Sequence, residues 1–521
     1  MMNTISNKKN YIFTLISGMG GVILSIILNL VTIPISLNYW KADRYGLWVL
    51  LTSTLMYLGM TNLGLNTAAG VLMGKNPKIS DKMKILKRSL LILLFSAGAI
   101  LSAFYVLNLV TKDWINFIGK IPANLKDETY SACIVLVVFY LLSLPFSLLS
   151  AVYSGFQKLY IDNIFNILLN IINFLVLIMV IILKGNLIYY SALWGISLVV
   201  FNIIKYLFFY FSIYRKLHKE IYDKKLTANS DTEFKTIFST GMRFFFIGIA
   251  STIVWSSDNL VISNFISIQS VVPYFITFKL FSIVYGIIFQ VNNSIMPLLG
   301  KEYGHNNIEW VSNIYSSFLI LMVLIGGATW VGSILFVRDF ITLWTSSSNY
   351  AGLFVVIALG GYSYLLSMSV LNFGIVNTLN YQGFAPYVAW GEAIIKIIFS
   401  IWLSKIWGLA GVALGTFLGS LCSPTWILPV FIKKRSEGKI NYDFAFLRKH
   451  LILAILPCII MSILLQVSSV NMLSRLIIGV LVAFLYLFLS YMVIPISFRV
   501  FFFRHISNFL VRIGFKSLRF S

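Results

Sequence analysis

Charge is what this 521-residue chain has least of. Only 11% of its residues are charged, against about 25% in an ordinary soluble domain. Acids are the scarcer sign, with 17 Asp and Glu together. Histidine occurs four times and cysteine three times. Cys133, Cys422 and Cys458 all lie inside apolar runs, and an odd number of cysteines in such runs supplies no disulfide framework. His218, His305, His450 and His505 have no His or Cys partner at metal-ligand spacing, so there is no zinc signature. No glycine-rich loop ends in Lys-Ser or Lys-Thr, which leaves an ATPase domain without its phosphate cradle.

What is present is apolar. Hydrophobic residues are 59% of the chain and aromatics 16%. A soluble core cannot hide that much apolar surface, so the solvent for most of the chain is lipid. The runs are continuous over about 20 residues, the length of a membrane helix, rather than alternating over about ten as in a β-barrel. Fourteen such segments run near 11–37, 45–73, 89–111, 131–152, 161–183, 187–213, 236–262, 272–298, 312–336, 351–376, 386–404, 408–432, 450–467 and 475–497. The split of 161–213 rests on Lys184-Gly185-Asn186, and the break at Lys405 is equally slight. The first segment is too long for a cleaved signal peptide and is expected to remain as an anchor.

The net charge of +23 would suggest nucleic acid in a soluble protein. In a membrane protein the same excess collects on the cytoplasmic side. With the N-terminus inside, basic clusters fall in the inward loops after segments two, six and twelve and in the C-terminal tail. About 27 cations face inward and about 9 outward, which fixes the orientation. Fourteen spans then place both termini in the cytoplasm. The outward loops are short and their acids scattered, namely Asp43, Asp113, Asp127, Glu128 and Asp339. That is a poor setting for polymerase or ligase chemistry, and no enzymatic activity is expected.

The basic loop 214–235 divides six segments from the next six, the layout of a duplicated transporter. The expected organisation is an N-lobe at 1–213, a cytoplasmic linker at 214–235 and a C-lobe at 236–432. Two further helices at 433–497 and a basic tail at 498–521 follow.

Charges inside spans are the informative residues, because each costs about 2.5–3.5 kcal/mol at a helix centre and is functional by default. Lys205, at the inner end of segment six, is expected to snorkel toward the interface. Glu392 and Lys396 are four apart, share a helix face and can pair. Arg243 and Asp258 are fifteen apart on segment seven, about 22 Å along the axis and about 60° around it. Lys279 on segment eight lies at a depth similar to that of Asp258, which makes Asp258–Lys279 a candidate pair. Arg243 has no acid one turn away, since positions 239, 240, 246 and 247 are Ser, Thr, Phe and Ile. An unpaired cation in a span points to an anionic ligand. Arg243 and Lys279 are therefore the candidate anion-binding residues, and Asp258, Glu392 and Lys396 the candidate gating or coupling residues. Asn29 and Thr32 on segment one, with Asn62 and Asn66 on segment two, are a candidate polar lining.

The stretch Tyr39-Trp40-Lys41-Ala42-Asp43-Arg44-Tyr45-Gly46-Leu47-Trp48 is followed by Thr61-Asn62-Leu63-Gly64-Leu65-Asn66-Thr67-Ala68. Together they resemble the opening of the polysaccharide transporter family, whose bacterial members include the O-antigen (Wzx-type) flippases. The family belongs to the superfamily of multidrug/toxin exporters and lipid II flippases. Asp258-Asn259-Leu260-Val261-Ile262-Ser263, Tyr274, Pro297 and Gly304 agree with it in the second half. The chain departs from the family pattern at Trp40 or Lys41, where Gly is often seen before Tyr-Gly, and at Asn62, where Asp is usual.

The resemblance implies an all-α polytopic membrane protein of about 14 helices, with two six-helix lobes in an inverted V around a cavity and two extra C-terminal helices. It implies flipping of an undecaprenyl-pyrophosphate-linked oligosaccharide across a bacterial inner membrane by alternating access, with H+ or Na+ as the candidate coupling ion and no other cofactor. Its implied partners are the lipid-linked glycan, membrane lipids, an O-antigen polymerase and a chain-length regulator, and no nucleic acid. The competing readings are a multidrug exporter, an O-antigen polymerase or ligase, and a structural scaffold. A multidrug exporter would favour an acidic cavity, and a scaffold would not account for buried charges.

Overall fold

The computed structural model describes residues 2–75, 78–215, 234–379, 381, 383–440, 449, 452–453, 457 and 472–493. Most of the 214–235 linker, segment thirteen near 450–467 and the tail 498–521 lie outside the described residues. Helices α1 (Met2–Leu58), α2 (Leu65–Lys75), α3 (Ile79–Val110), α4 (Lys126–Ser143) and α5 (Leu148–Gly155) open the chain. Then come α6 (Leu159–Ile182), α7 (Leu187–Phe209), α8 (Phe234–Phe265), α9 (Val271–Gly304) and α10 (Ile308–Trp344). The last are α11 (Leu353–Thr378), α12 (Ala385–Trp407), α13 (Leu409–Cys422), α14 (Pro424–Arg435) and α15 (Met472–Val493). No strand occurs among the described residues.

Eleven helical stretches are long and apolar enough to cross a membrane. The first, Phe13–Asn62, has 50 residues. At 1.5 Å per residue it is about 75 Å long, more than twice the hydrocarbon core of about 30 Å. It is two spans joined at Lys41, whose φ of 58° and ψ of −179° break the helix. Segments three to twelve each coincide with one further stretch, and segment fourteen overlaps the apolar helix Ile477–Val493. The chain is a multi-pass, all-α membrane protein.

The slight break read at Lys184-Gly185-Asn186 is a true helix boundary. Lys184 and Gly185 donate back to Ile181 O and Val180 O, closing the end of α6. The Asn186 side chain accepts from Tyr189 N and caps α7, satisfying one of its orphan donors.

The helices group into two compact units, Met1–Ile276 with Ala389–Gly415, and Thr277–Val388 with Thr416–Ser521. The first packs around Leu47, Leu50, Leu136 and Leu187 toward one end, and around Leu65, Met73, Ile85 and Val152 toward the other. The second has one core, with Tyr315, Trp330, Tyr364 and Tyr486 among its buried rings. Helix α11 is buried on nearly all sides there, as expected of a helix apolar all round. Helix α6 instead exposes Ile164, Leu168, Leu175, Met179 and Ile182. Helical spacing puts them on one stripe, a lipid-facing surface.

Candidate functional site

Helix α8 carries Arg243 and Asp258, and small side chains set its position in the first unit. The span begun by the second arm of α1 is interrupted at Gly59–Asn62 and resumes as α2. Within the break Leu63 and Gly64 take φ of 51° and 68°, a conformation that glycine adopts without steric penalty. A Cβ on Gly64 would stand 2.2 Å from Gly241 O and 2.6 Å from Phe245 N. The break thus rests directly on the α8 backbone beside Arg243. Asn62 holds it, since its Oδ1 accepts from Gly64 N at 2.8 Å. Further out, Asn259 Nδ2 donates to Ser53 Oγ at 2.8 Å and Ser263 Oγ donates to Ile118 O at 2.9 Å.

Of the other residues of the candidate polar lining, Asn29 bonds within its own helix and Asn66 bonds across helices. Asn29 Nδ2 donates to Ser25 O, one turn back on its own helix. Asn66 Nδ2 donates to Ser147 Oγ at 3.0 Å, tying α2 to the start of α5. Thr32 is half-buried. Asn62 and Asn66 therefore serve the shape of the broken span.

The four cations singled out within spans fall into two classes. Two are neutralised. Lys205 Nζ contacts Asp162 Oδ1, with both side chains buried. This corrects the expectation that Lys205 snorkels. Ser150 Oγ donates to the same carboxylate oxygen at 3.0 Å, and the ammonium lies 6.0 Å from the Tyr153 ring centroid.

Lys396 Nζ lies 3.1 Å from Asp258 Oδ1 and also donates to Val254 O. Tyr274 OH donates to Asp258 Oδ2 at 2.7 Å. The cation beside Asp258 is thus Lys396, where the sequence suggested Lys279 for Asp258 and Glu392 for Lys396. Glu392 is buried on the same helix. Asp162, Tyr153 and Tyr274 had no assigned electrostatic role in the sequence, because their partners are brought in by tertiary packing.

The other two cations have no carboxylate partner among the described residues. Arg243 is the tenth residue of α8, about 13 Å from its start. Its side chain is exposed, on one face with exposed Ser239 and Phe246. Lys279 is half-buried in the second unit, near the start of α9. A guanidinium can hold two oxygens of a phosphate or carboxylate through parallel hydrogen bonds, whereas an ammonium acts as a point charge. Among the described residues no three His, Cys, Asp or Glu side chains form a metal-ion set.

The motif glycines have physical explanations. Tyr45 is buried, and a Cβ on Gly46 would stand 2.8 Å from Ile268 O. Arg44 donates to Glu128 Oε2 through Nε at 3.2 Å and Nη2 at 3.0 Å. Glu128 Oε1 in turn accepts from Leu187 N at 2.9 Å. The turn after the first span is thereby fastened to the starts of α4 and α7.

No protein-family model matches the chain, and no curated protein matches it in sequence. Solved structures do match. A multidrug resistance MATE family transporter of the MOP superfamily, inward-facing, aligns with a TM-score of 0.67 at 13% identity, covering 82% of this chain and 98% of that one. The lipid II flippase MurJ, in an inward closed conformation, aligns with a TM-score of 0.62 at 14% identity, covering 92% and 98%. A MOP superfamily transporter from Pyrococcus furiosus, described as having a binding pocket of reverse polarity, aligns at 0.63 and 14%, covering 84% and 97%. The chain has the fold shared by these MOP superfamily transporters. At such identities the likeness is one of architecture.

Proposed function

We propose that the protein is a flippase. Its cargo is an undecaprenyl-pyrophosphate-linked oligosaccharide, an O-antigen or similar repeat unit, moved from the cytoplasmic to the periplasmic leaflet of a bacterial inner membrane by alternating access. The observation that carries this reading is the division among the intramembrane cations. Lys205 and Lys396 have carboxylates of their own, while Arg243 and Lys279 have none among the described residues. Holding an arginine within a span is costly unless an anion, carbonyl or water compensates it, and a pyrophosphate supplies that charge. The fold shared with a lipid II flippase and the motifs at Tyr39–Trp48 and Thr61–Ala68 support a lipid-linked cargo.

In this reading residues 1–213 and 236–432 are the two lobes, joined by a cytoplasmic linker, and both termini are cytoplasmic. H+ or Na+ supplies the coupling gradient. The polymerase and chain-length regulator act on the glycan once it has crossed, and flipping itself makes or breaks no covalent bond.

A second reading, multidrug export, is supported by the fold shared with a MATE transporter. One experiment separates the two. Proteoliposomes are loaded either with a fluorescent undecaprenyl-pyrophosphate glycan or with a lipophilic cationic dye. The proposal expects protein-dependent movement of the glycan lipid with its glycan intact. Dye transport without glycan movement would favour the exporter.

A further inference from the structure

We infer that Asp258 and Lys396 form a positioning pair that sets the register of the α12–α13 hairpin against α8. Ala250, Val254, Ala389 and Ala393 make one buried cluster between α8 and α12. Lys396 reaches both Val254 and Asp258 and Lys405 lies over the Phe265 ring, offsets of about 138 to 142 positions that place Ala250 and Val254 near the levels of Ala389 and Ala393. A near-constant offset with the same sign means parallel helices stepping along a shared seam, on residues four apart and hence on one face. The centre of the seam is lined by small side chains, which allow close approach, with Ile253 and Trp390 packed against its edges.

The charged rung adds the heaviest penalty for a wrong register, because a slip separates two buried charges. Lys396 Nζ reaches Asp258 Oδ1 at 3.1 Å and also donates to Val254 O, and Tyr274 OH occupies Asp258 Oδ2. A slip of one turn, about 5.4 Å, would bring Lys396 level with Val254 or Ile262 and leave two buried charges apart. Setting register is the best-attested use of a buried ion pair, because such pairs contribute little net stability but penalise alternatives heavily.

The part that is set in place is rigid. A Cβ on Gly415 would stand 2.4 Å from Ser400 N, and Ser400 Oγ donates to Val412 O at 3.3 Å, so α12 and α13 pack backbone to backbone. Ala389–Gly415 belongs to the same compact unit as α8. Beyond the seam, Lys405 Nζ lies 5.8 Å from the Phe265 ring centroid, a second contact of α12 with α8. The inference does not depend on what the protein carries.

Disulfide trapping tests it in a background with Cys133, Cys422 and Cys458 replaced by Ser. Ala250→Cys combined with Ala389→Cys reports the native register, and Ala250→Cys combined with Ala393→Cys reports a slip of one turn. With Asp258 and Lys396 intact, the native pair is expected to cross-link at least about tenfold faster than the slipped pair. Asp258→Leu with Lys396→Met should bring the two rates within about threefold of each other, and the swap Asp258→Lys with Lys396→Asp should restore the preference. Equal rates in the protein with its native charges would overturn the inference. So would an undiminished native preference in the Leu/Met protein. The first of these outcomes requires no charge variant to fold.

Discussion

A Cβ placed on Gly64 would stand 2.2 Å from the carbonyl oxygen of Gly241. The broken second span and the helix bearing Arg243 therefore meet backbone to backbone. Gly64→Ala adds a methyl group with no room for it, on a residue at φ 68°. The expected destabilisation is about 2–4 kcal/mol, from overpacking together with a left-handed conformation. Gly241→Ala, where the nearest atom is Leu63 O at 2.9 Å, should be milder. Thermal unfolding of the two variants in detergent, read by tryptophan fluorescence, checks the order. Equal melting temperatures for wild type and Gly64→Ala would contradict the packing.

The Asp162–Lys205 pair is buried on both sides. Lys205→Ala should cost about 3–5 kcal/mol, because it leaves a carboxylate in a dry interior. The double replacement Asp162→Leu with Lys205→Met should recover most of that loss. Chemical or thermal denaturation of the single and double variants measures both. A double variant no more stable than Lys205→Ala would show that the pair is not the source of the loss.

The positive-inside count makes a topological prediction. Single cysteines at the exposed positions Asp127 and Ser347 should react with an impermeant maleimide from outside intact cells. Cysteines at exposed Lys78 and Glu437 should react only after permeabilisation. Reversal at any one of the four would break the assigned orientation.

The spans were legible in the sequence because a lipid solvent demands a continuous apolar run of about 20 residues. Even the slight break at Lys184-Gly185-Asn186 proved to be a real boundary, since glycine and asparagine there end one helix and cap the next. Pairing was less legible. Glu392 and Lys396 share a helix face, and periodicity alone joins them. The carboxylate beside Lys396 is nevertheless Asp258, because the Ala250 and Ala389 seam brings α12 against α8. Asp162 and Lys205 are 43 positions apart with nothing local to connect them. Asn62 and Asn66, read as a candidate polar lining, also brace the break, a role visible only once Gly64 N and Ser147 Oγ are placed beside them. The Tyr-Gly and Leu-Gly pairs of the family resemblance were legible as motifs, while their cause was not. It lies in the carbonyls of Ile268 and Gly241, more than 150 positions away.

The central claim is that Arg243 meets the phosphates of a lipid-linked glycan. Its most direct test is initial flipping of a fluorescent undecaprenyl-pyrophosphate glycan in proteoliposomes at matched protein content, comparing wild type, Arg243→Lys and Arg243→Ala. The expected order is wild type, then a partial rate for Lys, which keeps the charge but loses two-point hydrogen bonding. Ala should be slower than wild type by about a hundredfold or more, the loss expected for a charge-assisted bidentate contact of about 3 kcal/mol. Lys279→Ala in the same assay should be milder, because an ammonium contributes one point charge. A wild-type flipping rate from well-folded Arg243→Ala would contradict the account.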